Sequence, residues 1–124
     1  MTQTYFGDVT RTARPFSLNA SKERRSTAKP TTATAYNIGD LLVLSSANVL
    51  THAADASTWD VICGMDLTAA EATAMAADGG EFPIYNGGEF NIEAISIEGT
   101  ALTTGQYAAA KAKATLNKIE FVEF

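Results

Sequence analysis

The stretch "IYNGGEFNIEAISI", residues Ile84–Ile97, decides how the second half of the chain folds. A glycine-rich loop that holds phosphate opens a helix, whose first N–H groups point at the anion. No helical period follows here. Phe90, Ile92 and Ala94 alternate with Asn91 and Glu93, which is the period of a strand. Ile84 and Tyr85 are strand formers on the other side. Asn and Gly tolerate the positive φ of tight turns, so Asn86-Gly87-Gly88 reads as the turn of a hairpin over Phe82–Ile97. The stretch supplies structure rather than a ligand site.

Upstream, "YNIGDLLVLSSANVLTHAADASTWDVICGM" places a turn at Gly39-Asp40 and a strand over Leu41–Leu44. A return strand lies in "ANVLTHAA", and another strand covers Val61, Ile62 and Cys63. Short apolar runs of this kind suit strands buried on both faces. In "LTAAEATAMAADGG", Thr68 and Glu71 have the spacing of a capping box, so a helix is expected, or else a loop with one helical turn. "TTGQYAAAKAKATLNK" predicts a short helix near 104–115, capped by Thr103 or Thr104, with its lysines toward the C-terminal end. "KIEFVEF" closes the chain as a strand, and no internal repeat is present. The expected class is mostly β with one or two short helices.

The chain has 124 residues and a net charge of −5, enough for one domain with or without an arm. Its acidity argues against generic nucleic-acid binding. A single cysteine, Cys63, rules out an internal disulfide and is compatible with a reducing compartment. No apolar run approaches the ~20 residues that span a bilayer, and the N-terminus lacks the apolar core of a secretory signal.

The charge is divided. Residues 1–34 hold six basic and two acidic groups, a balance of +4, whereas residues 35–124 hold three basic and twelve acidic, a balance of −9. The basic part is rich in Thr, Ser, Ala and Arg, with scattered Tyr5, Phe6, Val9, Phe16 and Leu18 and no sustained period. Such a segment buries too little to offset an ordering cost of ~1–2 kcal/mol per residue. Residues 1–34 are therefore expected to form an extended arm that orders on a partner, and residues 35–124 a compact β-rich body. A mitochondrial transit peptide would share the Arg- and Ser-rich composition, but Asp8 and Glu23 interrupt it.

Groups that could carry chemistry are few. His52 and Cys63 could in principle pair, yet Cys63 sits inside an apolar run, where free cysteine is a small buried hydrophobe. His52 is expected to be a surface or satisfied histidine, and Trp59 a core residue. Asp55, Asp60, Asp66, Glu71 and Asp78 do not have the spacing of a calcium loop and read as solvated turn acids. Asn19-Ala20-Ser21 is a formal glycosylation sequon without a secretory signal, and "ERRS" at 23–26 is a charge run that faces solvent or a partner. No catalytic, metal or cofactor site is expected.

The order of these parts resembles the head decoration, or cement, proteins of tailed phages, of the lambda type. The likeness covers Tyr36 to Phe124. It is carried by the strand Leu41–Leu44, the segment Val61–Met65 ending in "CGM", and "YNGGEF" at Tyr85–Phe90. The arm differs in its length and in "ERRS", and the Ala-rich Thr68–Ala77 is more helical than in the family. The resemblance implies a β-clip or β-tulip-like body and a non-enzymatic, cofactor-free virion protein. It implies homotrimers that bind the major capsid protein on the outer surface of the expanded head after synthesis in the host cytoplasm. They brace the shell against internal DNA pressure, with no direct contact to nucleic acid or membrane. The N-terminal arm would then bind the capsid, through Tyr5, Phe6, Phe16 and Leu18 as apolar anchors and Arg11, Arg14, Arg24 and Arg25 as charged contacts. Other readings are a tail or neck protein, or a small enzyme using Cys63.

Overall fold

A computed structural model describes residues 16–124. Eight strands and two helices follow one another: β1 Arg24–Pro30, β2 Leu41–Leu44, β3 Val49–His52, β4 Val61–Cys63, α1 Ala69–Ala77, β5 Phe82–Asn91, β6 Ser96–Ile97, β7 Thr100–Ala101, α2 Tyr107–Leu116 and β8 Ile119–Val122. The protein is mostly β with two short helices, as its sequence predicts.

β1 to β5 close into a ring. β2 pairs antiparallel with β3 and β4, β4 with β5, and β5 with β1, while β1 returns parallel to β3 through Lys29 and Pro30. Neighbouring residues point to opposite faces of a strand, and in β2, β4 and β5 both faces contribute buried residues. Leu42, Val61, Cys63, Phe82 and Ile84 join Tyr36 and Leu50 in one cluster. Leu41, Ile62 and Phe90 join Trp59, Ile92, Ile95, Ile119 and Phe121 in the other. This is why the strands read as continuous apolar runs. Trp59 is buried as expected, its Nε1–H donating to the Ala56 carbonyl at 2.9 Å.

The stretch at 84–97 does not form the expected hairpin. β5 runs unbroken through Asn86-Gly87-Gly88, and Ile92–Ala94 is a 3-10 turn rather than a return strand. The glycines mark a change of partner. Up to Gly87 β5 pairs with β4 and β1; from Gly88 to Asn91 it pairs in parallel with β8. Gly88 adopts φ 135°, and the ladder with β1 shifts register at Arg24/Arg25. The positive φ anticipated from the sequence is thus used for a kink within a strand. The real hairpin of this region is β6–β7, whose turn residues Glu98 and Gly99 both have positive φ.

The capping box resolves the ambiguity at α1: Thr68 N–H donates to Glu71 Oε1 at 2.8 Å, and Glu71 N–H to Thr68 Oγ1 at 3.1 Å. Gly79, at φ 68°, follows the helix end. The second helix, expected at 104–115, opens as a 3-10 turn over Thr104–Gln106 and is α-helical from Tyr107 to Leu116. Its Ala110 and Ala114, one turn apart, face the core.

The expected boundary at residue 34 is not a boundary of the fold. Arg24–Pro30 is a strand of the ring, and Ser17 bridges Phe90 farther along β5. Arg24 to Thr27 are exposed, so no apolar period betrays them; the backbone ladder to β5 holds them, and burial begins only at Ala28. Tyr5, Phe6, Arg11 and Arg14 lie outside the described residues.

Candidate functional site

The N-terminal segment is strapped along β5. Leu18 N–H donates to the Glu89 carbonyl at 3.0 Å and Asn91 N–H to the Phe16 carbonyl at 2.9 Å. The Phe16 ring packs on Tyr85 and Phe90, with centroids 5.6 and 5.0 Å away. Phe16 is therefore already half-buried against its own body, as is Leu18. Whatever precedes Phe16 leaves from this fixed point.

Arg24 and Arg25 are both exposed but meet different neighbours. The Arg25 guanidinium lies 5.1 Å from the Tyr85 ring centroid and pairs with Glu23 at 3.0 Å. The Ser17 hydroxyl, which donates to Glu23, and then Arg25 hold the Glu23 carboxyl below its usual range. Arg24 instead lines an open groove of about 990 Å³ with Lys22, Lys111, Lys118, Glu89 and Glu120. Lys22 pairs with Glu89 at 2.6 Å, and that hydrogen bond raises the ammonium pKa. Lys111 pairs with Glu123. Ile119 and Phe121 of β8 complete the wall. No spacing in the sequence signals this groove, because the 3-10 turn at Ala20–Lys22, the glycine kink of β5, α2 and β8 each contribute to it.

The sequence-level candidates for chemistry lie apart from the groove. Cys63 is fully buried, its thiol donates to the Met65 carbonyl at 3.1 Å, and burial pushes its pKa up to about 12. His52 does not engage it. The His52 Nε2–H donates to the Ala35 carbonyl at 2.7 Å, while Nδ1 has no hydrogen-bond partner and lies 3.8 Å from Asp40 Oδ2. His52 is thus satisfied at one nitrogen only. Asp40 is fully buried, and its oxygens accept from Ser96 Oγ at 2.5 Å, Gly99 N at 2.9 Å and Asn37 N at 2.9 Å. It ties the start of β2 to the β6–β7 hairpin, a role not visible from sequence distance.

Of the acids named as turn groups, Asp55 and Glu71 accept from local donors, Asp60 and Asp66 from residues distant in the chain. Asp55 accepts from Ser57 and Thr58, and the Ser57 hydroxyl lowers its pKa. Asp60 accepts from Leu44 N and Asp66 from Ile38 N, Glu71 caps α1, and Asp78 is its last cap. Among the described residues, no three His, Cys, Asp or Glu side chains gather to hold a metal ion, and no helix is long and apolar enough to cross a membrane.

Comparison of the chain with protein-family models gives no match, and comparison with curated proteins gives none either.

Proposed function

We propose that the protein is a capsid decoration protein that binds the expanded phage head as a homotrimer and stabilises it against internal DNA pressure. The strapping of Phe16–Leu18 along β5 is the observation that carries this reading. The body holds Phe16–Leu18 along β5 and offers Arg24 and Arg25 beside it. The likeness in element order to the lambda-type cement proteins supports it, and so does the sealed Cys63 thiol, which lacks the exposure and the cation a nucleophile needs. Three copies would present three N-terminal segments at once, with avidity roughly 10²–10⁴ above one.

The truncation that tests this has to respect the fold. Removing residues 1–34 would take β1 out of the ring, so the informative variant lacks only residues 1–15. Full-length protein is expected to sediment saturably with expanded, undecorated capsids of the parent phage. The variant should stay folded and bind at least tenfold more weakly. No binding by the full-length protein would overturn the decoration role and favour a tail or neck component. Equal binding by both forms would move the contact onto the body.

A further inference from the structure

Four of the seven basic residues in the described chain, Lys22, Arg24, Lys111 and Lys118, line one groove. The same residues 16–124 carry thirteen acidic groups, so this is a local reversal of sign on an acidic body. Within the groove, Glu89 is matched by Lys22, and Glu23 by Arg25. Arg24 and Lys118 form no ion pair among the described residues, against one unmatched carboxylate, Glu120.

The groove also borders a sheet edge. β8 ends the strand order and pairs only with β5 among the described residues. An edge strand with unpaired N–H and C=O groups is a template for one more extended segment. Charge selects among the occupants of such a template. A polyphosphate backbone would meet Glu89 and Glu120 as well as the cations, whereas a peptide can set its carboxylates against Arg24 and Lys118 and its backbone against the free edge of β8, whose Ile119 and Phe121 side chains face the core.

We propose that this groove is a second interaction surface, apart from the residues that precede Phe16, which takes an extended acidic peptide segment of a partner protein alongside β8. The inference does not rest on capsid binding, and its test uses no capsid.

The probe is a capped hexapeptide alternating glutamate and valine, titrated into the ¹⁵N-labelled full chain; an alternating lysine–valine peptide is the control. Saturable amide shifts are expected at Ile119–Val122 and at Ser21–Arg24. They should weaken as salt rises through the physiological range, because exposed charges are screened beyond a Debye length of ~8 Å. The doubly reversed Arg24→Glu, Lys118→Glu variant, with its fold checked by its own spectrum, should bind at least fivefold more weakly. The proposal is overturned if no saturable shift occurs, if the lysine peptide binds equally, or if the shifts fall away from β8. It is equally overturned if the same amides shift with protein concentration alone, since the groove would then seat a second copy of the chain.

Discussion

The side chain of Arg24 occupies the space above Gly87: a Cβ placed on that glycine would sit 2.7 Å from Arg24 Cδ. The neighbouring Gly88 is constrained more firmly, because its φ is 135° and a Cβ would meet the Phe90 ring at 3.1 Å. The outer Arg24 side chain can swing aside and leave only its Cβ, 3.1 Å away, to shift slightly; a buried ring and a backbone angle have no such freedom. Gly87→Ala is therefore expected to cost about 1 kcal/mol or less, and Gly88→Ala about 2–3 kcal/mol. Urea unfolding of the two variants checks the order. Equal effects would mean that the kink of β5 is not set by Gly88.

Asp40 supports the other end of the body. Its fully buried carboxyl group accepts from the buried Ser96 hydroxyl and from the backbone N–H groups of Gly99 and Asn37, which lie nearer the surface. Asp40→Ala should cost about 2–3 kcal/mol, because the buried Ser96 hydroxyl and two backbone N–H groups nearer the surface lose their acceptor at once. Ser96→Ala removes one donor and leaves two, so about 1–2 kcal/mol is expected. Chemical denaturation of both variants tests this. An Asp40→Ala loss no larger than that of Ser96→Ala would show that Asp40 does not organise the hairpin.

These two sites show where sequence reading stops. Strands β2 and β4 are legible because burial on both faces leaves continuous apolar runs, β8 because Ile119 and Phe121 alternate with exposed Glu120, and α1 because Thr68 and Glu71 complete a local motif. β1 was hidden, since Arg24 to Thr27 are exposed and held by backbone pairing that leaves no side-chain period. Gly87-Gly88 was misread for a related reason. Positive φ serves a turn and a kink alike, and only the parallel partner β8, about thirty residues downstream, distinguishes them. The groove and the Asp40 contacts join residues far apart in the chain, so no spacing could announce them.

The β6–β7 turn carries a correctable strain. Glu98 and Gly99 adopt φ of 49° and 81°, a pair that suits Asn-Gly better than Glu-Gly. Glu98 is exposed, so a change there disturbs no packing. Glu98→Asn is expected to stabilise by about 0.5–1 kcal/mol, seen as a melting temperature several degrees higher. A neutral or lower melting temperature would mean that the Glu98 side chain makes a compensating contribution. Gly99 is a poor site for the same exercise, because its φ is 81° and an added Cβ would sit 3.0 Å from Asn37 Nδ2.

Cys63 makes stability depend on pH in the alkaline range. Burial raises its pKa from an ordinary 9.0 to about 12 in the folded protein. Between those values the unfolded thiol has lost its proton while the folded one keeps it. The unfolded state then binds fewer protons, so stability falls as pH rises, by at most about 1.4 kcal/mol per unit. Tyr36, whose pKa burial also raises, acts in the same direction from its higher starting point. Cys63→Ala should cost a roughly pH-independent ~1 kcal/mol for the lost packing and flatten the decline from pH 9 to 10.5. Urea unfolding across that range, with wild type and variant side by side, reads the difference in slope. Parallel slopes would show that the thiol ionises in the folded state, and rapid labelling of native Cys63 by a thiol reagent at pH 8 would show the same exposure by a second route.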